Sequence, residues 1–239
     1  MYSFTSTVRF SECDNTSKLT YTAMVNYLQD CAVFHSKARD ASLEYLQANG
    51  MAWMISSWQI KIHEMPSVYD EIVISTWVHD FSRLIAPRYF SITSPDGKVY
   101  VEADSLWFMF DFEKMRPTRL TEEINAPYDQ DHDTKLNLPD TKRVYKCSGE
   151  YRLGNSIQVT KHHLDKNQHV NNAQYIDIAL DALGINIKPS YIQVSYLKAA
   201  LLGDTIIPRI YSDDECYAVE LTGEDESIFA TVKLFESEI

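Results

Sequence analysis

The sequence predicts an α+β fold built twice, and three observations carry that expectation. Each half opens on a strand-like segment and a polar turn, runs into a helix, and ends in strands joined by short turns. Residues of the first turn and helix recur in the second half at a fixed offset. A stretch with Pro117, Pro127 and Pro139 and no apolar periodicity lies between them. The chain therefore reads as an N-terminal domain of residues 1–120, a linker of 121–150 and a C-terminal domain of 151–239.

In chain order, Ser3 to Phe10 has the Val, Phe and Thr content of a strand, and Asp14 to Ser17 is turn-like. From Thr20 or Tyr21 a long helix carries Met24, Val25, Tyr27, Leu28, Cys31, Ala32, Val33 and Phe34, apolar almost all round, the pattern of an enclosed helix. Ser36 to Asn49 reads as a second, more polar helix. Met54 to His63, Glu71 to Val78, Arg88 to Thr93 and Lys98 to Asp111 read as strands, the last two joined by the turn Ser94-Pro95-Asp96-Gly97. The linker holds the acidic run 129–133 and a short helix at Thr121-Glu122-Glu123. Then come a strand from Ser156 to Lys161, a helix from Ala173 to Leu183 ended by Gly184, and strands Tyr191 to Lys198, Thr205 to Tyr211, Glu215 to Leu221 and Ser227 to Phe235.

The repeat is explicit. Asp14, Leu19, Thr20, Met24 and Asp30 stand opposite Asp165, Val170, Asn171, Tyr175 and Asp181, 151 positions on (165 − 14). Ile60, Ile62 and Asp70 stand opposite Val194, Tyr196 and Asp204, 134 positions on (204 − 70). The extra helix around Ser42 to Asn49 accounts for the smaller second offset.

Composition narrows the function classes. With 45% hydrophobic and 23% charged residues the chain is globular, and a formal charge of −12 argues against general nucleic-acid or anionic-membrane binding. No apolar run reaches the length of a membrane helix and no signal-peptide core is visible, so a cytoplasmic location is expected. Cys13, Cys31, Cys147 and Cys216 are scattered without a CxxC pair, which suggests neither zinc nor a disulfide framework but reduced, core-type thiols.

The stretch with chemical content is Asp165-Lys166-Asn167-Gln168-His169-Val170-Asn171-Asn172, directly ahead of the second helix. If extended, it points Asp165, Asn167 and His169 to one side, and Asn171 or Asn172 caps the helix. An acid, an amide and an imidazole beside helix-start N–H groups suit a hydrolytic site, with the backbone near Val170, Asn171 and Asn172 as oxyanion donors. The plainer reading is capping and turn formation, which Asn and Asp supply without catalysis. In the first half Thr16 and Lys18 replace the amide and the imidazole, so only the second half looks active.

These residues resemble the acyl-acyl carrier protein (ACP) thioesterases of bacteria and plants over nearly the whole chain. The likeness rests on Val8-Arg9-Phe10, Met24-Val25-Asn26-Tyr27-Leu28-Gln29, Asp70 with Thr76-Trp77-Val78, and Ala103-Asp104-Ser105-Leu106-Trp107. Most specific is Asp165-x-Asn167-x-His169-Val170-Asn171-Asn172-x-x-Tyr175, followed by Tyr196-Leu197-Lys198 before Gly203-Asp204. The resemblance implies a tandem (double) hotdog fold and hydrolysis of fatty acyl-ACP with release of free fatty acid, ending chain elongation. It places the catalytic set on Asp165, Asn167 and His169, with Asp165 and His169 interchangeable as base. It departs at Ala199, where members usually carry Glu, and at Ala200, a Cys in plant members, so a thiol nucleophile there is excluded; Asp177 or Asp204 is a possible substitute acid. Met24, Met51, Trp53, Trp58 and Tyr175 are candidates to contact the acyl chain, against the plainer reading as core. Lys161, His162, His163 and Lys166 are candidates to dock the acidic carrier, against the plainer reading as solvated surface. No metal or cofactor is expected beyond the substrate's phosphopantetheine arm, and either a monomer or a homodimer fits. Two alternatives remain: an acyl-coenzyme A thioesterase, and a noncatalytic acyl-chain or carrier binding module. A papain-like Cys protease fits less well, since no Cys has a readable relation to His169.

Overall fold

The computed structural model describes residues 1–128, 134–212 and 216–236. The acidic run 129–133 and the expected strand start at Glu215 lie outside the described residues. The chain divides into two compact units, Met1–Ser56 with Ile60–Thr141 and Ser57–Gln59 with Lys142–Ile239.

In the first unit, β1 (Tyr2–Thr7) is followed by a 3-10 turn at Phe10–Glu12, α1 (Tyr21–Ala38), α2 (Leu43–Ala48), β2 (Met51–Ile62), β3 (Glu71–Val78), β4 (Ala86–Thr93), β5 (Val99–Asp111), β6 (Arg116–Thr118) and α3 (Glu122–Asn125). The antiparallel strands run β1-β3-β4-β5-β2, with β6 on β5. Thr20 caps α1 by accepting the Ala23 N–H. The helix packs on β1 and β3, burying Met24, Val25, Tyr27, Leu28, Cys31 and Ala32, while Phe34 is exposed. Facing pairs Phe4 with Ile74 and Ile74 with Ile92 line up in register. The β4–β5 turn closes as its composition requires. Gly97 takes φ +90°, and its N–H donates to Ser94 O at 3.0 Å.

Two expected boundaries move. Ser36 to Ala38 belong to α1, and the second helix begins at Leu43 because Ser42 Oγ accepts the Tyr45 N–H and caps it there. Within the expected linker, residues 134–141 belong to the first unit. Trp77 Nε1 donates to Thr134 O at 2.7 Å, Thr141 Oγ1 donates to Asp104 Oδ2 at 2.6 Å, and Leu136 and Leu138 pack on Trp77 and Tyr89.

The second unit contains β7 (Arg152–Leu153), β8 (Ile157–Gln158), a 3-10 turn at Lys161–His163, α4 (Gln174–Leu183), β9 (Tyr191–Tyr196), β10 (Thr205–Ser212), β11 (Tyr217–Thr222) and β12 (Ile228–Phe235). Its order is β9-β12-β11-β10-β7, with β8 also on β10. The expected Ser156 to Lys161 strand shrinks to two residues, since the chain turns into the 3-10 segment at Lys161. α4 packs on β10, β11 and β12 with Tyr175, Ile176, Ile178, Ala179 and Leu183 buried. It stops at Gly184, whose φ is +68°.

The duplication extends to individual hydrogen bonds. Asp14 N donates to Lys18 O at 2.8 Å, as Asp165 N does to His169 O. Leu19 N reaches Pro66 O and Val170 N reaches Ala200 O; Val8 N reaches Asp70 O and Val159 N reaches Asp204 O. Ser17 and Gln168 hold the same left-handed turn, at φ 64° and 63°. One pair differs instructively. In the second unit the buried Ala200 N–H donates to the Tyr175 hydroxyl at 3.0 Å. In the first unit the matching residues are Pro66, which has no N–H, and Met24, which has no hydroxyl. The two units thus solve the same satisfaction problem with different residue pairs. Tyr175→Phe should cost about 1–3 kcal/mol by orphaning the Ala200 N–H, whereas Tyr175→Met with Ala200→Pro should recover most of that loss. Urea denaturation of the three proteins measures both.

Candidate active site

The site is a loop shaped by one carboxylate. An antiparallel bridge joins Leu164 to Val170, so the residues between them reverse direction rather than run extended. Asp165 Oδ1 accepts the Asn167 N–H at 2.7 Å and the His169 N–H at 3.3 Å, and Gln168 N donates to Asp165 O at 3.1 Å. The expectation that alternation in an extended segment aligns the trio is therefore corrected. Asp165, Asn167 and His169 do share one loop, but a side-chain-to-backbone clamp puts them there. Asn167 Nδ2 stands 3.4 Å from Asp165 Oδ2. Asn167 is exposed and His169 half-buried. Among the described residues the imidazole has no hydrogen-bond partner.

The first unit shows what the loop does without chemistry. Asp14 Oδ1 accepts the Thr16 and Lys18 N–H groups at 2.7 and 3.1 Å, the same clamp. There the attached side chains are tied down. Thr16 Oγ1 bonds Asp14 Oδ1 at 2.7 Å, and Lys18 Nζ bonds Met65 O at 2.9 Å. What distinguishes the second loop is Asn167 and His169, not the aspartate.

Several predicted roles are corrected. The Val170 N–H donates to Ala200 O at 3.0 Å and the Asn171 N–H to His163 O at 2.8 Å, so neither is open to an oxyanion. The expected cap at Asn171 or Asn172 is corrected as well: the N-cap position of α4 is Ala173, without a side-chain cap, and Asn171 Oδ1 accepts the Ala173 N–H at 3.0 Å in the turn ahead of the helix. The Asn172 carbonyl accepts the Tyr196 hydroxyl at 3.0 Å. Asp204 Oδ2 accepts the Leu201 N–H at 2.9 Å, just as Asp70 Oδ2 accepts the Ser67 N–H at 2.8 Å. Asp177 lies half-buried in the first turn of α4. Ala199 is exposed and Ala200 buried. Tyr175 is core rather than chain-contacting, and burial pushes its phenol up to about 12. Lys161, His162 and Lys166 are exposed, whereas His163 turns inward on its own 3-10 segment, its Nδ1 accepting the Thr160 N–H at 3.0 Å.

The first unit holds an apolar pocket walled by Val33, Leu46, Trp53, Phe81 and Trp107. Of the residues proposed to contact a chain, Trp53 lines it and Met51 packs in the adjoining cluster. Met24 and Trp58 are wholly buried core outside its lining. Sequence reasoning missed Arg88, Ser36 and Tyr128, which also line it. The one available signal was a lone charge, Arg88, inside a strand. All four cysteines are free, and burial pushes Cys31 and Cys147 up to about 12, which keeps both as thiols.

Two family models cover most of the chain: the acyl-ACP thioesterase N-terminal domain over residues 1–128 and the acyl-ACP thioesterase C-terminal domain over residues 149–229. The chain belongs to the acyl-ACP thioesterase family. Its fold is shared with solved structures of an acyl-ACP thioesterase from Bacteroides thetaiotaomicron (TM-score 0.86, 23% identity, 98% of this chain and 96% of that one) and a 12:0-ACP thioesterase from Umbellularia californica (TM-score 0.81, 16% identity, 98% and 96%). The fold class is thus the tandem hotdog that the resemblance implies. It is also similar to a chloroplastic acyl-[acyl-carrier-protein] hydrolase of Cuphea viscosissima, 25% identical over 176 residues. That match takes in 66% of this chain and 41% of the relative, so the chain spans about two-fifths of the curated relative's length. Among the described residues no helix is long and apolar enough to cross a membrane.

Because the clamp is structural and the other two side chains project from it, stability and chemistry should separate. Asp165→Ala should cost about 1–2 kcal/mol, and Asp14→Ala should shift in the same direction. Asn167→Ala and His169→Ala should stay within about 0.5 kcal/mol of the parent. Chemical denaturation midpoints report all four.

Proposed function

We propose that the chain hydrolyses the thioester of a fatty acyl group on acyl carrier protein, releasing free fatty acid. The observation that carries this reading is the divergence of two loops with one backbone. The first binds both side chains back onto the protein; the second, on the same clamp, carries an amide that only reaches Asp165 Oδ2 at 3.4 Å and an imidazole with no hydrogen-bond partner among the described residues. Family membership supplies the substrate class.

The chemistry asks little of such a site. A thiol leaves with a pKa of about 8.5, so the leaving group needs scant acid assistance. An activated water and a donor to the developing oxyanion suffice. In this reading the Asn167 amide, held by Asp165 Oδ2, donates its remaining N–H to the thioester carbonyl. The His169 imidazole takes the proton from water. Asp165, whose counterpart Asp14 makes the same backbone bonds without chemistry, positions the loop rather than acting as base. The phosphopantetheine arm arrives with the substrate, and Lys161, His162 and Lys166 face the acidic carrier. The first unit's pocket takes the acyl chain.

Ala199 favours one other reading, a module that binds acyl chains or carrier without cleaving them. Position 199 adjoins the strand segment in which Leu201 bridges His169. Ala199→Glu restores the carboxylate that the family resemblance leads one to expect at this position.

Thiol release from acyl-ACP of graded chain length, run beside the same chains on coenzyme A, tests the proposal. Asn167→Ala and His169→Ala should each lower kcat by about 10²-fold or more. Lys161→Glu with Lys166→Glu should raise KM for the carrier-bound substrate and leave a small thioester unaffected. Parent-level turnover in both alanine variants contradicts the proposed roles. Absence of thiol release from the parent, regained in Ala199→Glu, establishes the binding module instead.

A further inference from the structure

The first unit's pocket is apolar along most of its wall, yet a buried polar cluster closes part of it. Arg88, Ser36 and Tyr128 line it together. Arg88 Nη1 bonds His35 Nδ1 at 2.8 Å and Thr76 Oγ1 at 3.3 Å, and its guanidinium lies 5.4 Å over the Tyr128 ring. The Ser36 and Tyr128 hydroxyls bond each other at 2.8 Å. His35 and Thr76 are fully buried, Tyr128 is 1% exposed and Arg88 6%. A guanidinium stays charged at any ordinary pH, and burying one where an apolar side chain would fill the core is costly. The cluster therefore calls for a role that an apolar residue would not fill.

We propose that the Arg88 cluster is the closed end of the acyl pocket and sets the longest chain that the protein accepts. Each methylene placed against Val33, Leu46, Trp53, Phe81 and Trp107 leaves water for apolar surroundings and tightens binding by about fourfold. A methylene driven against the guanidinium gains nothing comparable. It must strip polar atoms of water or displace a side chain that two hydrogen bonds and an aromatic face hold in place. The limit is set by charge as well as by shape, so it moves when the charge is removed and stays when it is kept. Reading the occupant as an acyl chain rests on the proposed function.

The test is equilibrium binding of acyl-pantetheine amides of graded chain length to the full chain. These neutral, non-hydrolysable analogues avoid attraction between a free carboxylate and Arg88. In the parent, affinity should climb with length and then stop. In Arg88→Met it should keep climbing, so that a chain about two methylenes past the parent's limit binds roughly tenfold more tightly. Arg88→Lys should keep the parent's limit. Because Arg88→Met removes the partner of buried His35, thermal melting accompanies each measurement. If that variant does not fold, Arg88→Met with His35→Leu replaces both buried partners by apolar groups and gives the same readout. An unchanged limit in the folded variant, or affinity climbing through the whole series in the parent, overturns the proposal. A limit that moves while no acyl-ACP is cleaved leaves the pocket's role standing and removes the hydrolytic reading. Cleavage with an unmoved limit does the reverse.

Discussion

Asp165 binds the N–H groups of Asn167 and His169 on one carboxylate oxygen, and the geometry of the second unit's loop follows from that clamp. With their backbones held, Asn167 turns its amide toward Asp165 Oδ2 at 3.4 Å and the His169 imidazole has no hydrogen-bond partner among the described residues. Gln168 accepts a left-handed φ of 63° as part of the same closure. The bridge from His169 to Leu201 then sets the imidazole beside the segment that follows β9. Asp204 holds that segment in turn through the Leu201 N–H. The loop is thus fixed from both sides by carboxylates bonded to backbone, which leaves the side chains of Asn167 and His169 available for other work.

The first unit has kept all of that scaffolding and none of the projecting chemistry. Asp14 and Asp70 repeat the roles of Asp165 and Asp204, and Ser17 repeats the left-handed turn. Its interior has diverged in another way. α1 runs 18 residues against 10 for α4, and α2 has no counterpart. Residues from α1, α2 and the strands leave an apolar pocket between them. In the second unit Tyr175, the counterpart of core Met24, packs 5.7 Å from the Tyr196 ring and accepts the Ala200 N–H. One copy contains an apolar pocket, and the other carries an amide and an imidazole on a loop clamped by carboxylates.

Much of this was legible in the sequence, for identifiable reasons. The repeat could be read because both copies must close the same turn, so Asp14 and Asp165, and Asp70 and Asp204, survive at fixed offsets. Glu71–Val78 was read to the residue because β-branched side chains dominate it. The end of α1 was misjudged because Ser36 and Lys37 look like a helix start when seen without the sheet that buries His35 and Ser36. The backbone donors assigned to Val170 and Asn171 were wrong because their acceptors, Ala200 O and His163 O, are set by tertiary pairing that spacing does not record. Alternation would align Asp165, Asn167 and His169 along an extended segment, whereas they share a turn closed by Asp165 Oδ1, a clamp that spacing does not record. Arg88 was invisible as a site residue, since a single charge within a strand carries meaning only once its surroundings are known to be apolar.

The central claim is that the two loops share a scaffold and differ in chemistry through two side chains. Its most direct test is to install the first unit's residues in the second, Asn167→Thr with His169→Lys, and to follow thiol release from acyl-ACP alongside thermal melting. The clamp needs only the backbone at these positions, so the melting temperature should stay at the parent's value while turnover falls by about 10³-fold or more. A variant that melts like the parent and still turns over like it would contradict the account.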